Sequence, residues 1–115
     1  MPLNDTILNL GNAAAQTAMT HMQIHTAEPD GAGSNEATST RLAITWETAA
    51  NGDLIVTADL DFTGGASSGP ATHIGFWSAS SAGTFYGWLP LTGDQTFNAA
   101  GEYKVTGVTI TGTAS

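Results

Sequence analysis

Apolar and polar residues alternate with a period of two along most of the chain after residue 21, and this pattern predicts β-strands. The alternating segments are residues 22–26, 42–46, 54–62, 72–77, 84–89 and 104–111. Asn51 and Gly52 separate the second segment from the third, and this dipeptide favours the type I′ turn of a hairpin. Residues 30–40 carry no large apolar side chain, and we expect them to form a surface loop. We predict an all-β fold, an antiparallel β-sandwich of the immunoglobulin-like or jelly-roll-like type.

The beginning of the chain follows a different pattern. Apolar side chains recur there at helical spacing, at Leu3, Ile7 and Leu10, which predicts a short N-terminal α-helix. Its apolar stripe is narrow and continues into alanines, so we expect this helix to pack on its own sheet or on a neighbouring subunit. The predicted organisation is a helical arm, residues 1–20, followed by a β-sandwich domain, residues 21–115.

The charge of the chain is sparse and acidic. Of its 115 residues, Arg41 and Lys104 are the only Lys or Arg, against ten Asp and Glu, which gives a formal net charge of -8. Nucleic-acid binding needs several cations to neutralise phosphates, and an anionic protein is repelled by anionic membranes, so we expect neither partner. The chain has no cysteine, which excludes disulfides and thiol chemistry and suits a protein made in a reducing cytoplasm.

Two pairs of side chains have a spacing that metal sites use. His21 and His25 are four residues apart, but the surrounding pattern is that of a strand, where such residues lie about 13 Å apart. Asp59 and Asp61 share one face of a predicted strand, and calcium is the cation that such a pair would hold. Ordinary alternation of polar and apolar faces is the explanation that we favour for this pair. We therefore predict no metal site.

The sequence contains no complete set of catalytic residues. His73 would need a nucleophile and an orienting acid to act as a base, and neither stands in a recognisable motif, so we expect it to hydrogen-bond a backbone group in the sheet. The aromatic residues could instead form a stacking platform for sugars, although a core of this size uses as many. The residues of this candidate platform are Trp46, Trp77, Tyr86 and Trp88. We predict no enzymatic activity and no cofactor.

Four segments, in order, resemble a family of small structural proteins of tailed bacteriophages, often labelled tail-fibre-like. Residues 24–29 (IHTAEP), followed by Asn-Glu at 35–36, are similar to the family pattern LHTADPG…NE. Residues 41–46 (RLAITW) are similar to ARQAVTW, and residues 72–79 (THIGFWSA) to THVGLWSA. Residues 83–87 (GTFYG) are similar to the Gly- and Phe-containing segment that follows. The resemblance extends over roughly residues 20 to 110, and it implies a component of the virion, assembled in the bacterial host's cytoplasm.

The site of such a subunit on the particle has two alternatives. The chain forms one compact domain without heptads or a repetitive shaft, which favours a head-decoration (cement) protein that stabilises the capsid. A tail-fibre or minor tail protein is the alternative, and a carbohydrate-binding adhesion module is an alternative of another class. The expected partners are other virion proteins, the major capsid protein or tail proteins, and further copies in a homo-oligomer, a trimer for instance. The residues that we predict to contact partners are Leu3, Ile7, Leu10, Glu28, Asp30 and Glu36.

Overall fold

The computed structural model describes residues 13–47, 54–56, 58–106 and 108–110. In these ranges the chain forms short antiparallel strands and one helical turn at residues 13–18, which confirms the predicted all-β fold with a short helix. The strands are β1 (His21–His25), β2 (Leu42–Ala43), β3 (Leu54–Ile55), β4 (Leu60–Phe62), β5 (His73–Trp77), β6 (Phe85–Pro90), β7 (Tyr103–Val105) and β8 (Thr109–Ile110). No helix in the described part of the chain is long and apolar enough to cross a membrane.

The first layer is a four-stranded sheet with the order β2-β1-β5-β6. Strands β1 and β5 occupy its centre and pair antiparallel from His21 opposite Trp77 to His25 opposite His73. Both central strands are buried on both faces. The alternation of β1 places Met22 and Ile24 in the hydrophobic core, and it turns the residues between and after them to the outer face.

The second layer consists of the ladders β3–β8 and β4–β7. The sequence predicted one strand over residues 54–62, and this prediction was wrong, because β3 and β4 are separated by a bend at Ala58. The physical reason is register. Leu54 lies opposite Ile110, whereas Leu60 lies opposite Val105, so the two ladders are not in the same register and the chain bends between them.

The core lies between the two layers, and both layers contribute to it. Phe62 of β4 is fully buried there, as are the two inward residues of β1. The buried core residues are Met22, Ile24, Ala37, Val56, Leu60, Phe62, Ala71, Ile74, Phe76, Phe97 and Val105. Apolar side chains from opposed sheets stabilise the fold by removing their surface from water.

The helical turn at residues 13–18 docks at the β2 edge of the first layer. Gln16 Nε2 donates to the carbonyl of Glu47 at 2.7 Å, and the indole N–H of Trp46 donates to the carbonyl of Met19 at 2.9 Å. The Met19 side chain packs against the core. The predicted apolar stripe, from Leu3 to Leu10, lies outside the described residues.

The predicted hairpin around Asn51 is supported by the pairing on either side of it. Trp46 and Val56 form an antiparallel bridge, and the N–H of Glu47 donates to the carbonyl of Ile55 at 2.8 Å. The Asn-Gly turn itself lies outside the described residues.

Candidate functional site

Residues 26–41, called the cover loop below, pack onto the outer face of the four-stranded sheet. The N–H of Ala37 donates to the carbonyl of Ile24 at 2.9 Å, which fixes the loop beside β1. Gly33 has a φ of +81°, and a Cβ placed there would come within 2.6 Å of the Trp77 ring. Ala37 and Ser39 are buried. The surface loop predicted for residues 30–40 is therefore in part a packed layer, and small side chains are what allow the backbone to lie directly on aromatic rings.

His25 is fully buried beneath the cover loop, and its two ring nitrogens have different partners. Nδ1 lies 2.8 Å from the carbonyl of Ser34, which can only accept, so Nδ1 carries the proton. Nε2 then accepts from the indole N–H of Trp77 at 3.4 Å. Burial lowers the pKa of His25, although the Ser34 carbonyl and the nearby Glu36 carboxylate favour the charged form. This geometry holds the imidazole neutral, because a second ring proton would point at another donor.

Gln23 links β1 to the cover loop through buried hydrogen bonds. Its Oε1 accepts from the Ser39 hydroxyl at 2.6 Å and from the backbone N–H of Ile24 at 2.8 Å. Its Nε2 donates to the Ser39 carbonyl at 2.6 Å and to Glu36 Oε2 at 3.2 Å. Because the amide of Gln23 is satisfied on both of its ends, this buried polar group stabilises one loop conformation.

Arg41 joins the cover loop to the turn between β5 and β6. Its guanidinium forms a two-pronged ion pair with Glu36, at 2.8 Å to Oε1 and 3.1 Å to Oε2. It also donates to the carbonyls of Ala79 and Ala82 at 3.0 and 2.7 Å, and its Cζ lies 3.7 Å from the centre of the Trp77 ring system. Partial burial alone would raise the pKa of Glu36, but the hydrogen bonds from Arg41 and Gln23 outweigh this effect and lower it. The chain's one arginine is therefore a structural clamp.

The structure places the predicted contact residues in different settings. Glu28 and Asp30 are exposed on the cover loop. The Asp30 carboxylate accepts from the backbone N–H groups of Ala32 and Ser34, and these hydrogen bonds lower its pKa. Glu36 is engaged by the arginine clamp, and 32% of its side chain is exposed. The remaining nominated residues, Leu3, Ile7 and Leu10, lie outside the described part of the chain.

The aromatic residues divide between core and surface. Trp77 is buried under the cover loop, and Trp46 packs against Phe76 with ring centroids 6.0 Å apart. On β6, however, Tyr86 is 50% exposed and Trp88 is 36% exposed. The indole of Trp88 stands edge-on to the His73 imidazole at 5.1 Å, which limits its movement.

His73 is placed differently from the sequence prediction. Its Nδ1 lies 2.7 Å from the hydroxyl of the neighbouring Thr72, so the expected hydrogen bond to a backbone group is not its contact. The histidine that bonds the backbone is His25, through the Ser34 carbonyl. Sequence alone could not separate these two, because both stand in alternating strands and only the cover loop distinguishes them.

The pairs considered for metal binding have other contacts. His21 Nδ1 lies 2.9 Å from the Thr20 hydroxyl, and Asp61 lies 3.7 Å from the ammonium of Lys104. Among the residues that the structure describes, no group of three or more His, Cys, Asp or Glu side chains could hold a metal ion.

Comparisons with known proteins identify a family. Neither the curated protein sequences nor the solved structures contain a match to the chain. One family model, described as "Podophage GP4 fiber I protein gp80", matches residues 3–113, which include both the predicted arm and the sandwich. The match confirms the resemblance to structural proteins of the phage virion. The chain therefore belongs to the podophage GP4 fiber I protein gp80 family.

Proposed function

We propose that the chain is a non-enzymatic subunit of a fibre on the tail of a podophage. The observation that carries this proposal is the family match over residues 3–113, because the family is named for a fibre protein. A phage structural role and a place in the virion follow from the family itself. The tail location, assembly in the host cytoplasm and association of several copies belong to the proposal.

The geometry of the cover loop supports a structural role. Its buried and half-buried polar groups are engaged, since Arg41 holds Glu36 and His25 of β1 holds the Ser34 carbonyl. Groups held in this way keep a loop in one conformation, which suits a protein that binds partners by shape. The exposed Glu28 and Asp30 are the part of this loop that we propose to face another virion protein.

Head decoration, which the sequence pattern favoured, has less support than the fibre. Decoration was favoured because the sequence has no heptads and no repetitive shaft. The absence of these features argues only against a long coiled or repetitive fibre. A fibre can also be built from compact domains that associate end to end. The family description names a fibre protein.

The location is tested on purified particles of the phage that encodes this chain. Heads and tails are separated, and the chain is quantified in each fraction by mass spectrometry against the major capsid protein. Enrichment in the tail fraction is the expected result. Enrichment in the head fraction would contradict the fibre proposal and favour decoration, and absence from both fractions would contradict a virion role.

Glycan binding is a second candidate function, and one observation favours it. Tyr86 and Trp88 are exposed on the same strand, and aromatic rings of this kind stack on sugar faces. The test is Trp fluorescence during titration with surface polysaccharide from the phage's host. A saturable change that Trp88→Phe abolishes would support this function, and an unchanged spectrum would contradict it.

A further inference from the structure

The tip of the cover loop, residues 30–35, is a turn with its own internal hydrogen bonds. The Asp30 carboxylate accepts from the N–H groups of Ala32 and Ser34, at 2.9 and 3.2 Å. The N–H of Asp30 donates to the Ser34 hydroxyl at 3.0 Å, and the N–H of Gly33 donates to the Asp30 carbonyl at 3.1 Å. Because these bonds lie inside the turn, the tip can leave the sheet as a unit without losing them.

The tip covers a buried imidazole and is attached to the sheet around it. The imidazole of His25, which is fully buried, donates through Nδ1 to a tip carbonyl at 2.8 Å. Beside it, Gly33 lies on the Trp77 ring, and the N–H of Thr26 donates to the carbonyl of Asn35 at 2.8 Å. Water therefore reaches the imidazole only when one of its covering groups moves.

The other nitrogen of this imidazole is packed against β5 and β6. Nε2 of His25 accepts from the indole N–H of Trp77 at 3.4 Å, and the Phe85 ring centroid lies 5.7 Å from the imidazole. A Cβ placed on Gly75 would overlap Nε2, so the nitrogen fits there only because residue 75 has no side chain. A second ring proton would point at the indole N–H, which is a donor and cannot accept it.

The groups around the imidazole act on its charge in both directions. Burial is the largest influence and lowers the pKa of His25. The Ser34 carbonyl and the Glu36 carboxylate raise it, whereas Arg41 on the loop and His73 on β5 lower it. The net effect is a lowered pKa, so uptake of a second proton is linked to exposure of the ring.

The base of the cover loop, residues 36–41, is held by contacts that do not involve the imidazole. Arg41 forms its two-pronged ion pair with Glu36, and Gln23 of β1 bonds the loop through its amide. Partial burial would raise the pKa of Glu36, but the hydrogen bonds from Arg41 and Gln23 hold it below the ordinary value of 4.5. The base therefore stays attached at a pH at which a solvated histidine is already charged.

We propose that the tip of the cover loop is a pH-sensitive latch, which leaves the sheet when His25 takes up a second ring proton, while the base of the loop and the core stay folded. In the released form, water solvates the imidazolium, and the Trp77 and Phe85 rings lose their cover. Asp30 moves with the tip, so a contact that it makes with another protein would loosen at the same pH. This inference goes beyond the proposed function, because it concerns the folded chain wherever the subunit lies on the particle.

Proton linkage gives the size of the effect. The closed form resists protonation, whereas an exposed His25 titrates near the ordinary value of 6.5. The ratio of released to closed tip should therefore rise as the pH falls below 6.5, approaching about tenfold per pH unit. Between pH 8 and pH 5 the limit of this rise is about 30-fold.

Hydrogen exchange of two indole N–H groups tests the latch. The indole of Trp77 donates to the imidazole, and the indole of Trp46 donates to the carbonyl of Met19 at 2.9 Å, away from the tip. Nuclear magnetic resonance records both exchange rates in the full-length protein from pH 8 to pH 5. The ratio of the two rates cancels the pH dependence of the exchange chemistry that the indoles share.

Two backbone amides form a second matched pair. The N–H of Thr26 donates to the tip, and the N–H of Ala37 donates from the base of the loop to the carbonyl of Ile24. Their protection factors, each relative to the unstructured peptide, are compared over the same pH range. A released tip lowers the protection of Thr26 alone.

The exchange rate of Trp77 relative to Trp46 should rise at least about fivefold from pH 8 to pH 5, with a similar loss of protection at Thr26 relative to Ala37. His25→Gln keeps a donor and an acceptor but does not titrate, so it should abolish the rise. His21→Gln, the same replacement on the same strand, should preserve it.

Two results with the native protein would overturn the proposal, and neither depends on how a variant folds. A constant ratio of the two indole rates would show that the tip stays closed in acid. An equal loss of protection at Thr26 and Ala37 would show that the loop or the whole domain unfolds together, without a separate latch.

Discussion

Replacement of Arg41 by methionine tests whether the arginine clamp holds the cover loop. The variant Arg41→Met keeps most of the side chain's apolar length but removes the ion pair to Glu36, two hydrogen bonds to carbonyls, and the cation–π interaction with Trp77. Breaking a buried ion pair costs about 3–5 kcal/mol, whereas exposed pairs contribute about 0–1 kcal/mol. Arg41 is buried, with 7% of its side chain exposed, and Glu36 is partly exposed at 32%. We therefore expect a loss of about 2.5 kcal/mol, between these limits.

The loss can be measured as a shift of the thermal midpoint. An unfolding entropy of about 2.1 cal/mol/K per residue amounts to roughly 0.24 kcal/mol/K for a chain of this size, so Tm should fall by about 10 °C. The matched control is Lys104→Met, which removes the chain's other cation from an exposed pair with Asp61. It should lower Tm by about 4 °C or less. Circular dichroism during heating and denaturant titration measure both variants. Equal losses of stability in the two would refute the clamp.

Two further predictions concern the same loop. Burial lowers the pKa of His25, and hydrogen bonds from Arg41 and Gln23 lower that of Glu36, so the folded chain binds fewer protons than the unfolded chain in acid. The free energy of unfolding should therefore decrease as the pH falls below 6.5, the ordinary pKa of histidine. It should decrease again as the pH falls below 4.5, the ordinary pKa of glutamate. Urea titrations from pH 8 to pH 4 measure both changes. His25→Gln should remove the upper step, and a flat profile in the native protein would contradict the neutral imidazole. Gly33→Ala should lower the free energy of unfolding by about 2–3 kcal/mol, because its φ is positive and its Cβ would overlap the Trp77 ring. Gly31→Ala is the control, and with open space around it the change should be less than about 0.5 kcal/mol. A similar loss in both variants would show that Gly33 has no special role.

Alternation in the sequence predicted the two central strands of the four-stranded sheet and one of its edge strands. Segments 22–26, 72–77 and 84–89 correspond to β1, β5 and β6, because large apolar side chains on a period of two require a core face. The segment 54–62 was predicted as one strand and is two, since the register of its partners is set by tertiary contacts that no local pattern records. Element type was therefore more predictable than element length.

The packing of the cover loop on the sheet could not be predicted from the sequence. A loop without large apolar residues is predicted to be exposed to solvent. Gly33 lies directly on the Trp77 ring, where a larger residue would not fit. Small residues of this kind give no hydrophobic pattern from which their burial could be predicted. One signal was present, namely a single arginine in a chain with few charges, close to Glu36 in sequence. Exposure of Trp88 against burial of Trp77 was also beyond local reasoning, because the cover loop lies on Trp77 whereas Trp88 stands on the edge strand β6.

Direct imaging of the virion tests whether the chain is a fibre subunit on the phage tail. In a cryo-electron microscopy reconstruction of intact particles, we expect density at the tail into which the two-layered sandwich fits, with the cover loop against a second virion protein. Density for this chain on the capsid surface alone, or none on the particle, would refute a place in the tail fibre.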